Sequence, residues 1–168
     1  CELEIKADGS LDFSDEVLAE LDFVVASVHT SLRQERSQIT ERVMNALRNP
    51  YVDVIGHPSG RILGQREESA VDLDAVVEEA SRTGTALEVN SIPSRLDLDD
   101  VHVRRALELG VKIAINSDAH HPGGLDSLRY GLATARRGWA TPPDVLNSMS
   151  LEALRAWRQA RIARQSEP

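Results

Sequence analysis

Residues 52–57 read VDVIGH, a short β-branched run that ends on a histidine. The same grammar recurs in FVVASVH at 23–29, TALEVN at 85–90 and KIAINSD at 112–118. Runs of this length and composition read as strands, and the amphipathic stretches between them carry helix punctuation. Asp72 and Asp99 stand where N-caps belong, with Gly84 and Gly110 where the two helices should stop. Ser14 precedes DEVLAEL, and Ser37 opens a run with Ile39, Val43 and Leu47 four apart that Asn49-Pro50 ends. The pattern therefore predicts strands at Glu2–Lys6, Asp22–Val28, Tyr51–Ile55, Thr85–Val89 and Val111–Ile115, alternating with helices. Such alternation implies an α/β fold with a parallel sheet, either a barrel or a doubly wound sheet.

The polar residue that follows each apolar run carries the next step. His29, His57, Asn90 and Asp118 are spaced by 28, 33 and 28 residues. One βα unit occupies roughly 30 residues, so the four should stand at the carboxyl ends of successive parallel strands and converge on one rim. In an α/β barrel that rim holds the active site. A doubly wound sheet uses its carboxyl edge only beside a switch point. Four contributing strands in a row fit a barrel better.

Taken alone, each of these residues has a structural explanation. A histidine in a Gly56-His57-Pro58 loop is more often bonded to backbone than to a metal, and His102, inside VHVRRALEL, belongs to a helix away from the strand ends. As a set, His29, His57, Asp118 and His120 offer the mixed imidazole and carboxylate donors that suit Zn, Mn or Fe. Asp118 and His120 are two apart, so in an extended segment they would face one site. Glu2 and Glu4 share a strand face, but Glu2 precedes His29 by 27 residues, close to the period, whereas Glu4 precedes it by 25. Glu2 is thus the expected bridging carboxylate in a cluster of metal ions.

Composition sets the outer bounds. A chain of 168 residues is about one domain, given domains of ~100–200 residues. Its 41% apolar and 27% charged content is that of a globular protein able to bury a core. No run approaches the apolar length of a membrane span, and the start lacks the pattern of a signal peptide. One cysteine forbids an internal disulfide or a zinc ribbon, which leaves the cytoplasm as the expected compartment. The net charge of −8 argues against a broad basic clamp for nucleic acid. Residues 129–168 carry 7 basic and 3 acidic groups, read here as the solvated face of a C-terminal helix in preference to a nucleic-acid patch.

The elements ELEIKADGSLDF, ASVHTSL, NPYVDVIGHPSGRILGQR, EVNSIPSRLDL, INSDAHHP and ARRGW, spread from residue 1 to about 140, resemble the polymerase and histidinol phosphatase (PHP) domain. The match is closest to the C-terminal PHP domain of bacterial X-family DNA polymerases. This resemblance implies a metal-dependent phosphoesterase on a distorted seven-stranded (β/α) barrel, with up to three divalent ions (Mn, Zn or Fe) in the complete domain. It makes Glu2 the bridging ligand and His29, His57, Asp118 and His120 further ligands. It places Asn90 at the rim beside the site, and Arg61 and Arg95 where a phosphate-facing or a structural arginine would stand. The catalytic set it implies is Glu2, Asp118, Arg61 and Asn90.

The HxH and acidic segments that open such a domain are not in the chain, which starts at Cys1 inside a strand. The expectation is one domain over residues 1–168, a partial barrel lacking about its first two strands, with a polymerase domain upstream. Open sheet edges would make homo-oligomers feasible. Such a fragment should bind fewer ions than the complete domain and hydrolyse phosphate esters poorly. The implied function is DNA 3′-end processing, as a 3′-5′ exonuclease or 3′-phosphatase in DNA repair, with no membrane partner. The alternatives are a histidinol-phosphate phosphatase, acting on a small phosphate ester, and a non-catalytic module bracing a polymerase.

Overall fold

The apolar runs form five strands in the computed structural model, which describes residues 1–166. They are β1 Glu2–Glu4, β2 Val25–Ser27, β3 Val54–Gly56, β4 Ala86–Asn90 and β5 Ile113–Asn116. The helices are α1 Asp15–Ala19, α2 Arg36–Leu47, α3 Leu73–Thr83, α4 Asp100–Glu108, α5 Leu128–Arg137 and α6 Leu151–Ser166. All five strands are parallel and lie side by side in chain order. Consecutive, unreversed order is that of a barrel wall, so the sheet is consistent with a partial barrel.

Asp72 and Asp99 cap α3 and α4, accepting from the backbone N–H groups of Ala75 and His102. Gly84 ends α3 in the left-handed region at φ 75°. Helix α2 begins one residue before the expected Ser37, with Glu35 in the cap position and no side-chain cap bond.

The pleat divides the sheet into two faces. Leu3, Ala26, Ile55, Leu87, Val89, Ile113 and Ile115 point to the main core, where they meet Ile39, Val43 and Leu47 of α2, Val76, Val77 and Ala80 of α3, and Val103 and Ala106 of α4. Burial of this face at roughly 25 cal/mol per Å² of apolar surface is the main source of stability. The opposite face changes along the strands. At the amino ends it is apolar: Val54, Ala86 and Ala114 pack with Leu146, Leu154 and Trp157. At the carboxyl ends it is polar, and the register aligns Glu4 with Ser27 and Ser27 with Gly56.

Two expectations need correction. The basic C-terminal helix is not simply a solvated face. Arg161, 3% exposed, and Arg158 both bond the carboxylate of Asp53, which is fully buried just before β3. Asp53 also accepts the N–H of Val24, so the pair of guanidiniums fastens α6 across the amino ends of the strands. The sheet edges are also not both bare. Val145 makes a parallel bridge to Ile113 and Asn147 accepts the N–H of Ile115 along β5, while Asp12 accepts the N–H of Glu4 on β1. No helix is long and apolar enough to cross a membrane among the described residues.

Candidate metal centre

Three side chains meet at the carboxyl edge of β1, β2 and β3. Glu2 Oε1 lies 3.4 Å from His29 Nε2 and 3.4 Å from His57 Nε2, and the three donor atoms fall within 4.8 Å of one another. The imidazole rings stand edge to face, 5.0 Å between centroids. His57 is 4% exposed and its Nδ1 has no hydrogen-bond partner, whereas Glu2 and His29 are open to solvent. The donor set, one carboxylate and two imidazoles with their Nε2 atoms aimed at a common point, is that of a borderline divalent cation.

What surrounds the three keeps them there. His29 Nδ1 faces Glu4 Oε2 at 2.8 Å, so a proton on Nδ1 leaves the Nε2 lone pair free on the Glu2 side. Glu4 also accepts from the backbone of His29 and Thr30 and from the Thr30 hydroxyl, and it pairs with Arg42, whose side chain is 1% exposed. Arg42 in turn bonds the carbonyls of Ile5 and Thr30, which ties the ends of β1 and β2 together. The Ser27 hydroxyl donates to Glu2 Oε1 at 2.7 Å. A Cβ at residue 56 would collide with that hydroxyl, which is why β3 carries glycine at its carboxyl end.

The electrostatics follow from these contacts. His29, His57 and Ser27 hold the Glu2 carboxyl far below the usual range against the opposing effect of burial. Glu2, and less strongly Glu4, raise His29 above the ordinary histidine value although burial works against them. Burial alone would raise Glu4, but hydrogen bonds from Thr30 and His29 bring it down. Burial pushes Glu88, the acid on β4, upward.

Asp118 and His120 lie at the same sheet edge but outside this group of three. Asp118 Oδ2 accepts from Asn90 Nδ2 at 3.1 Å and is 3.8 Å from Arg95 Nε. Asn90 reaches back at 3.4 Å to Glu88, which accepts the backbone N–H of His57 at 2.7 Å. Asp118 and His120 stay close, with His120 Nδ1 3.7 Å from Asp118 Oδ1, although the segment between them is not extended. Asp118 is left-handed at φ 49°, and the exposed His120 turns its Nδ1 to the Asp118 carbonyl at 2.9 Å. Arg61 is committed to protein partners: it bonds the carbonyls of Arg95 and Leu96 and pairs with Glu68. It braces the loop that presents Arg95 and makes no contact with the three metal-type ligands. His102 is on α4 and faces Asp99 at 2.8 Å.

Glu4, Glu88 and Asp97 escaped the reading by spacing. Asp97 is 1% exposed and accepts the N–H groups of Ser59 and Gly60, fixing the turn after His57. A signal for Glu88 was present, since in ALEVN it shares a face with Asn90 two residues on, an acid in an otherwise apolar strand.

No protein-family model matches the chain. Among curated proteins it is 45% identical over 156 residues to the DNA polymerase/3′-5′ exonuclease PolX of Bacillus subtilis (strain 168), a match that covers 93% of this chain and 27% of PolX. It is 32% identical over 150 residues to a probable phosphatase of Thermoanaerobacter sp. (strain X514), covering 84% of this chain and 59% of that protein. A probable phosphatase of Acetivibrio thermocellus is 34% identical over 123 residues, 69% of this chain and 48% of the relative. The chain thus spans about a quarter of PolX and little more than half of the first of these phosphatases. By sequence it belongs with PolX and the bacterial probable phosphatases, the grouping that its PHP-like motifs pointed to.

Proposed function

We propose that the chain carries a metal-dependent phosphoesterase site of the PHP type that processes DNA 3′ ends beside a polymerase. The observation that carries the reading is the meeting of Glu2, His29 and His57 at one point of the carboxyl edge, in a chain 45% identical to a protein named as a 3′-5′ exonuclease. In this reading Glu2, His29 and His57 hold a divalent ion, Mn, Zn or Fe, and Asp118 and His120 close the set from the other side of the rim. A bound ion supplies Lewis acidity toward a phosphoryl oxygen and toward water.

The chain's own residues set the conditions for that chemistry. Glu4 fixes the His29 tautomer, and Asn90 holds the Asp118 carboxylate toward the rim. Arg95, 3.8 Å from Asp118, is the guanidinium placed to meet a substrate phosphate, with Arg61 holding its backbone. The few cations at this edge, together with a bound ion, would let a protein of net charge −8 accept a polyanion.

The test is hydrolysis of a 3′-recessed DNA duplex, histidinol phosphate and p-nitrophenyl phosphate with Mn²⁺ by the complete domain that carries this sequence. The expected result is metal-dependent release from the DNA 3′ end that His57→Ala abolishes. Preference for histidinol phosphate would move the site to small esters. Full metal occupancy with no hydrolysis of any of the three would favour a module that only braces a polymerase.

A further inference from the structure

Glu88 is a deeply placed acid beside the centre and takes no part in the ligand set. It is 5% exposed, and its partners are amide N–H groups, with no Arg or Lys among them in the described residues. Oε2 accepts the backbone N–H of His57 at 2.7 Å and, more weakly, Asn90 Nδ2 at 3.4 Å, while Oε1 accepts Asn116 Nδ2 at 2.8 Å.

The direction of each bond is fixed from outside the network. The backbone N–H of Ile92 donates to Asn90 Oδ1, so Asn90 must present Nδ2 to Glu88 and Asp118. The N–H of Ile115 donates to Asn147 Oδ1, which turns Asn147 Nδ2 to Asn116 Oδ1 and Asn116 Nδ2 to Glu88. His57 N–H can only donate. Glu88 is therefore met by donors at both oxygens, and none of its partners can accept a proton from it. A buried carboxylate without a cation is costly unless something nearby offsets its charge.

We propose, building on the metal-binding reading above, that Glu88 is the positioning residue of the centre. It joins the His57 arm to the Asn90–Asp118 arm and supplies a buried negative charge that the bound cation answers. It acts through His57 and Asn90 and touches no ion itself.

The test compares the parent chain with Glu88→Gln and with the double variant Glu88→Gln/Asn116→Asp, using Co²⁺ alone as the probe. Glutamine keeps the volume but turns an NH₂ group against His57 N–H or Asn116 Nδ2. In the double variant the carboxylate introduced at position 116 can accept from the amide introduced at position 88 and from Asn147. Every bond then has a partner, and the negative charge stays in the network. Thermal unfolding of the metal-free proteins reports folding, and the Co²⁺ titration reports affinity and the visible absorption band.

The expected result is a ~10–100-fold loss of Co²⁺ affinity in Glu88→Gln, the loss typical when support behind a ligand is removed. Its band should shift, and most of the affinity should return in the double variant. Parent-like affinity and spectrum in Glu88→Gln would overturn the proposal. So would a double variant that melts like the parent yet stays as weak as the single one. A parent chain that takes up no Co²⁺ would overturn the metal reading beneath it, an outcome visible without any variant.

Discussion

At the scale of the residue, the centre is a contest for the imidazole nitrogens. Glu2 favours a proton on His29, and a cation must displace it. Because the His29 pKa is raised, proton competition should persist above the ordinary histidine value of about 6.5. Affinity for Mn²⁺ should then rise with pH through that range, and calorimetric titration from about pH 6 to 8 checks it. Glu4→Gln keeps an acceptor for His29 but loses the charge paired with Arg42, so Mn²⁺ affinity should fall by ~10–100-fold. Asp118→Asn retains shape without charge, and should lower affinity and rate by at least that factor if Asp118 is a ligand. Parent-like activity in that variant would remove Asp118 from the set. Glu2, His29 and His57 could be singled out in the sequence by their near-regular spacing, although the register sets Glu2 opposite Val25 at the start of β1 and only its side chain reaches the two histidines. Asp118 obeyed that spacing too, with His120 two residues on, but no spacing rule reports that Asp118 turns left-handed and that the exposed His120 ring folds back to the Asp118 carbonyl and carboxylate.

At the scale of the element, caps were legible wherever one short side chain does the work. Asp72 and Asp99 could be placed by inspection, while α2, which has no capping side chain, starts one residue away from where its sequence suggests. His102 shows what inspection leaves out. It reads as a neutral helix residue, yet its ring faces the cap of its own helix, with His102 raised and Asp99 held down to about 2. The sign follows from both partners. The His102 contribution is complete below its unfolded value near about 6.5 and is lost as pH rises through the raised folded value. The Asp99 contribution holds above its unfolded value near about 3.9 and is lost as pH falls toward about 2. His102→Ala should therefore cost more at about pH 5.5 than at about pH 8.5, by about 0.5–1 kcal/mol for a partly exposed pair. Urea unfolding at the two pH values measures it, and an equal cost at both would show that the ring only fills space.

At the scale of the whole molecule, the order of the sheet was readable because a parallel strand and its crossover helix repeat at a near-constant length. The closure of its amino end was not. Asp53 sits in a run that reads as plain strand, and its partners Arg158 and Arg161 lie more than a hundred residues away. Asp53→Asn should leave two guanidiniums facing a neutral group in a buried place, and cost about 3–5 kcal/mol of stability in chemical denaturation. Metal affinity at the other end of the strands should change little, which separates what holds the fold from what holds the ion. The central claim is that Glu2, His29 and His57 form a cation site on the carboxyl edge of this sheet. Anomalous diffraction at the manganese edge from crystals grown with Mn²⁺ tests it most directly. The account predicts a peak within bonding distance of a Glu2 carboxylate oxygen and of the Nε2 atoms of His29 and His57. A map with no peak there, or with one only at other residues, would contradict it.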